Sequence, residues 1–173
     1  MIEGFIIPKD LPKHEALKAH AARYPDLDPS AVEACVVLLR VAGEMFTSFK
    51  EHFGRHGISQ GRFIILMLLN RDPDKGLSPS ELAEFSCVTR ATISGLLDGL
   101  EADGLVKRVP LEQDRRSYSI CLTARGRRFM DAMLPDHFRR MAGVMAHLSE
   151  TERKLLIELL FKVRAGLVAL ESP

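Results

Sequence analysis

The chain has 173 residues, 46% of them apolar, with 24 Lys and Arg against 23 Asp and Glu for a formal net charge of +1. That much apolar content excludes a disordered chain and suits one sizeable core, or a small domain plus an oligomerisation element, while near neutrality means that charge-driven binding must come from a local patch. No run approaches the roughly 18 to 20 uninterrupted apolar residues of a membrane span, and Met1 to Asp10 lacks a basic region followed by an apolar run and cleavage site, so a cytoplasmic protein with no membrane partner is expected.

Residues 1–28 read as an N-terminal arm or an extra helix, because Lys13 to Tyr24 is amphiphilic and follows Pro8 and Pro12. A long helix is predicted from Pro29 to about His56, with Asp28 as cap and Pro29 at the first position. Its apolar residues Val32, Cys35, Val36, Leu39, Phe46, Phe49 and Phe53 recur mostly at three and four. Such a helix spans about 40 Å. After Gly57 a second helix, apolar from Phe63 to Leu69 and ending near Arg71, is expected to meet solvent only at its ends.

Next comes a capped helix. Ser78-Pro79-Ser80-Glu81 is a capping-box pattern, in which the serine accepts from the third helical N–H and the glutamate reaches back. The helix should stop near Ser86-Cys87-Val88, and Thr89 caps another. From Arg90 to Asp103 the residues Ile93, Leu96, Leu97 and Leu100 form one buried stripe. The opposite face is small and polar, with Thr89, Arg90, Ala91, Thr92 and Ser94 in the first turns, where a recognition helix meets base edges in the major groove. Gly104 closes this helix as a left-handed cap.

Leu105 to Val109 and Ser117 to Leu122 then read as two strands of a hairpin, joined by the polar stretch Pro110 to Arg116. Between Leu105 and Arg128 the basic residues Lys107, Arg108, Arg115, Arg116, Arg125, Arg127 and Arg128 face only Glu112 and Asp114. Positive charge beside a helix-turn-helix is what a phosphate backbone attracts. Ser78, Thr89, Arg90, Ala91, Thr92, Ser94, Lys107, Arg108, Arg115 and Arg116 are therefore the candidate contacts to double-stranded DNA.

Two further helices follow, Ala124 to His147 and Glu150 to Leu170, the second opened by Ser149-Glu150-Thr151-Glu152. Leu155, Leu156, Leu159, Leu160, Val163, Leu167 and Leu170 give it a broad apolar stripe that needs a partner helix. A two-fold homodimer meets that need, and it would set two recognition helices roughly 34 to 36 Å apart on an inverted repeat. The fold class is thus mainly α with a small β wing, a winged helix-turn-helix over residues 58–123. Residues 29–57 and 124–173 form the helical dimerisation region.

These residues carry a family resemblance. Leu77 to Ala83, Thr89 to Ser94, Leu97 to Val106, and Asp114-Arg115-Arg116-Ser117 running into Leu122-Thr123 resemble the multiple-antibiotic-resistance regulator (MarR) family of winged helix-turn-helix transcription factors. The resemblance implies a homodimeric repressor released by a small aromatic or phenolic effector. It implies a wing anchored by Asp98, Asp114 and Arg116, with Arg116 pairing to Asp98 and Arg115 reaching the minor groove. It also implies an effector pocket between the dimer helices and the DNA domain, for which Phe46, Phe49, Phe53, Arg55, His56, Arg62 and Phe63 are candidate linings. Where members often carry a basic residue this chain has Gly95 or Gly99, so one or two phosphate contacts are lost.

Other chemistry is thinly signalled. Cys35 sits near the place of a reactive thiol in the peroxide-sensing branch of the family, but Phe49 and Gln60 stand where that branch keeps tyrosines, so a small buried apolar role is expected and redox sensing is the alternative. Cys35, Cys87 and Cys121 lie too far apart for a disulfide framework or a structural zinc site. His52 and His56 share a helix face at ligand spacing, but no third ligand lies near in sequence, so neither a metal nor a cofactor is expected. No Gly-rich phosphate loop, His-Glu-x-x-His or serine elbow is present, which argues against an enzyme. The rival is a winged-helix dimer that acts through protein partners.

Overall fold

A computed structural model describes the backbone of residues 14–111 and 114–170 and the side chains of residues 15–110 and 118–170. In chain order the helices are α1 (His14–Ala21), α2 (Pro29–Arg55), α3 (Gln60–Asn70), α4 (Pro79–Ser86) and α5 (Arg90–Ala102). The hairpin β1 (Val106–Leu111) and β2 (Asp114–Leu122) follows, then α6 (Ala124–Val144) and α7 (Glu150–Ala165), which runs into a 3-10 turn at Gly166–Leu170.

Local chemistry sets these boundaries. Asp28 accepts from the amides of Ser30 at 2.8 Å and Ala31 at 3.2 Å and so starts α2. Those bonds hold its carboxyl below the usual range, the Ser30 hydroxyl first among them. Capping boxes at Ser78/Glu81 and Ser149/Glu152 open α4 and α7. Gly57 and Gly104 take φ values of +68° and +67°, which let the chain reverse after α2 and α5 without a Cβ clash.

The core is built around α3, which packs on α2, α4, α5, α6 and β2. Ile65, Leu66, Leu69, Leu82, Ile93, Leu97, Leu100, Ile120, Met130 and Met133 are fully buried there. This one core includes Phe53 of α2 and Met130 and Met133 of α6, so it crosses both edges of the 58–123 segment. Leu17 of α1 is buried, and α1 packs on α2.

Several elements depart from the expectation. α3 is not wrapped on all sides by the described residues: Ile64 is exposed and Met67 half-buried, because no described element covers that strip. The hairpin is longer than its alternation indicates, with Val106 opposite Leu122 and Pro110 opposite Tyr118 before a register shift. Leu77 adds a short third rung, exchanging both backbone hydrogen bonds with Ile120. α6 ends at Val144 and carries Pro135 in its interior, and α7 gives way to the 3-10 turn after Ala165. Cys35 is exposed rather than buried, on a stretch of α2 that the rest of the protomer leaves open. Among the described residues no helix is long and apolar enough to cross a membrane.

Candidate nucleic-acid interface

The reading surface begins at the turn between α4 and α5. Cys87 closes α4 in the left-handed region at φ 53°, its amide and that of Val88 bonding back to Glu84 and Ala83. Two residues later Thr89 caps α5. Its Oγ1 accepts from the Thr92 amide at 3.2 Å and lies 2.9 Å from Thr92 Oγ1, while Ser94 Oγ donates to the Arg90 carbonyl at 3.1 Å. Part of the hydroxyl set thus shapes the helix start, yet Thr89, Arg90, Ala91, Thr92 and Ser94 are all exposed. The buried stripe of Ile93, Leu97 and Leu100 turns them outward. Ser78 is half-buried at the start of α4, and its hydroxyl is occupied by the capping box.

The hairpin is fastened to α5 by a residue that sequence reasoning assigned to DNA. Arg108 donates to Asp98 at 2.6 Å and pairs with Glu101 at 3.0 Å, and its guanidinium lies 5.5 Å from the Tyr118 ring centroid. The bond to Asp98, followed by the charge of Glu101, raises the Arg108 pKa against the cost of burial. Among the described residues Asp98 thus pairs with Arg108, one strand earlier than Arg116, and the expected Arg116 pairing lies outside the described side chains. The side chains of Asp114, Arg115 and Arg116 lie outside the described residues.

Other cations of the local excess are also engaged. Arg127 pairs with Asp74 at 3.1 Å and donates to the Pro73 carbonyl at 2.6 Å. Arg125 and Arg128 line a shallow cavity with His56, Gly57, Asp103, Leu105 and Phe129. Lys107 is exposed on β1.

Among the described residues and cavities, the expected effector linings are spread out. Phe53 and Phe63 are core, 4.7 Å apart between ring centroids, and Arg62 pairs with Asp103 at 2.9 Å with its guanidinium against Gly99. Phe46 is exposed, and His56 lines the Arg125 cavity. Only Phe49 of that set lines the cavity between α2 and α6, about 510 Å³, together with Val41, Glu44, Met45, Ser48, Arg140, Gly143 and Val144. Helical spacing puts Phe49 on the α2 face that lines this cavity. It carried no information on which α6 residues lie opposite.

A two-helix reader whose second helix is braced against an antiparallel hairpin defines a winged helix-turn-helix protein. Residues 58–118 match the model of the MarR family. The chain is 40% identical over 152 residues to the HTH-type transcriptional repressor YetL of Bacillus subtilis, covering 88% of this chain and 91% of that protein. It is 30% identical to the HTH-type transcriptional regulator PecS of Dickeya dadantii, covering 83% and 87%. Among solved structures it resembles a MarR-family transcriptional regulator from Silicibacter pomeroyi, at a TM-score of 0.59 and 28% identity over 79% of this chain and 91% of that one. The fold is also that of MepR from S. aureus in a DNA complex, at a TM-score of 0.66 and 24% identity over 76% and 95%. The chain belongs to the MarR family of transcriptional regulators.

Proposed function

We propose that the chain is a homodimeric repressor that grips a palindromic operator with α5 in the major groove and the wing beside it. The observation that carries this reading is the exposed start of α5, polar and free of acidic residues, coupled rigidly through Asp98 and Arg108 to the hairpin. Thr92 and Ser94 read base edges, whereas Lys107, Arg115 and Arg116 hold phosphate or the minor groove. Dimerisation rests on α7, which has no buried residue in the protomer although Leu155, Ile157, Leu159, Leu160, Phe161 and Val163 are all exposed. Residues 29–57 and 124–173 supply that interface, and residues 58–123 read the DNA.

The effector is a small aromatic or phenolic acid, and the α2/α6 cavity suits it better than the residues chosen from sequence. Phe49 and Met45 offer apolar walls, and Arg140, which pairs through Nε with Asp136, keeps its other guanidinium N–H groups for a carboxylate. Occupancy there alters the angle between α2 and α6 and hence the spacing of the two readers.

Gel-shift titration with operator and random duplexes tests the DNA reading. Affinity should fall steeply with salt, and Arg115→Ala or Arg116→Ala should weaken operator binding with the melting curve intact. Salt-independent binding, or mutants that bind as the parent does, would refute it.

A further inference from the structure

Away from the DNA-reading face, the C-terminal part of α2 and the middle of α6 bring together three imidazoles and a carboxylate. His52 is 4% exposed; its Nε2 lies 3.3 Å from His137 Nδ1, while its Nδ1 is buried without a hydrogen-bond partner. That nitrogen faces Asp136 Oδ2 at 3.9 Å. His56 Nε2, one turn further along α2, is 3.5 Å from the same oxygen. Ligating atoms of His52, His56 and Asp136 all fall within 4.8 Å of one another. A buried ring nitrogen with no hydrogen-bond partner is costly, and a cation held between it and Asp136 would remove that cost.

We propose that His52, His56 and Asp136 bind one divalent transition-metal ion of the zinc class. Zinc ligands stand about 2.0 to 2.2 Å from the ion, so tetrahedral donors are about 3.3 Å apart. The two nitrogen-to-oxygen separations, 3.5 and 3.9 Å, need to close by about 0.2 and 0.6 Å, and a pair of donors at the 4.8 Å limit by about 1.5 Å, which takes side-chain rotation. His56 and Asp136 can supply that movement because both are partly exposed. The hydrogen bonding fits the same state. A metal at His52 Nδ1 leaves the proton on Nε2, where it donates to His137 Nδ1, the outer contact that fixes ring orientation at metal-bound histidines. His137 is thus a positioning residue. Two imidazoles and one carboxylate favour zinc, cobalt, nickel or copper over magnesium and calcium, which prefer oxygen donors throughout, and three protein donors leave a fourth position for water.

Arg140 Nε donates to Asp136 Oδ2 at 2.7 Å, and Arg139 contacts the other oxygen at 3.2 Å. These guanidiniums neutralise the carboxylate in the metal-free chain. Arg140 is about half exposed, so it can swing into solvent when a cation takes its place.

The test is titration of the reduced full-length chain with Co²⁺, followed by Zn²⁺ competition against a chromogenic chelator. One ion per chain is expected, with visible bands of a low-coordinate nitrogen and oxygen site and no thiolate charge-transfer band. His56→Gln and Asp136→Asn should each weaken Zn²⁺ binding at least about tenfold without lowering the metal-free melting temperature appreciably. His137→Phe should move the Co²⁺ bands as well as the affinity. A Cys35→Ser, Cys87→Ser, Cys121→Ser triple variant should bind as the parent does. Absence of saturable binding, a sulfur charge-transfer spectrum lost in that triple variant, or unchanged affinity in both His56→Gln and Asp136→Asn would overturn the site.

Discussion

At the scale of single residues, the turn of the reader carries a local cost. Cys87 is the one non-glycine among the described residues with positive φ, and its side chain is exposed. The left-handed conformation costs a residue with a Cβ about 1 to 2 kcal/mol, and glycine's extra unfolded-state freedom returns about 0.5 to 1 of that. Cys87→Gly should therefore raise stability by a few tenths to about 1 kcal/mol in urea melts; a loss would show that the thiol packs against something. Gly126 is the opposite case. A Cβ there would run into the Leu105 carbonyl oxygen, which is already held by the Thr123 amide at 3.1 Å and cannot retreat. Gly126→Ala should cost about 1 to 3 kcal/mol and lower the melting temperature, and a neutral result would mean that the α6 start moves freely against β1. Contacts between near neighbours, such as Ser78 with Glu81, were legible in the sequence because their spacing is the mechanism. The pairing of Arg108 with Asp98 was not, since both strands carry arginine and spacing along the chain does not say which of them faces α5.

Among elements, the caps and stripes of α2, α4 and α5 could be read directly, because N-caps and three-four spacing are local. Side-by-side placement is a different matter, and the α2/α6 contact shows why. Nothing in the sequence around His52 and His56 points to Asp136 and His137, which reach them only through packing on α3. That packing has a pH signature. Burial first, then the charge of His56, lowers the pKa of both His52 and His137, with Asp136 opposing the shift and Arg140 adding to it at His52. Both stay neutral in the fold below the pH at which they would protonate when unfolded. The unfolded chain then binds more protons, so stability falls as pH drops below the ordinary histidine value of 6.5. In the presence of a chelator, the melting temperature should decline between about pH 7 and pH 5, above the range where the lowered carboxylates Asp28, Glu81, Asp136 and Glu152 begin to protonate. Replacing His137 with Phe should flatten that decline; an unchanged slope would place the titration elsewhere.

For the molecule as a whole, the question is what covers α7. Its apolar stripe was legible, but a stripe alone does not distinguish a partner within the chain from a second copy; among the described residues the protomer buries no residue of α7, which favours the second copy. Leu159 and Val163 are each close to half exposed, one turn apart on the same face. In a homodimer they are buried against the partner, and a charge there would be left without a counterion in an apolar contact. Leu159→Arg combined with Val163→Arg should therefore give monomers in sedimentation velocity at concentrations where the parent is dimeric. The DNA-binding unit should survive, because its core does not involve α7. Operator affinity should then fall by about 100-fold or more, since one half-site loses the high effective concentration that its linked neighbour provides, while binding to an isolated half-site stays near the parental level. A double variant that remains dimeric would remove α7 from the interface. One that is monomeric yet binds the full operator as tightly as the parent would show that the two readers never worked together.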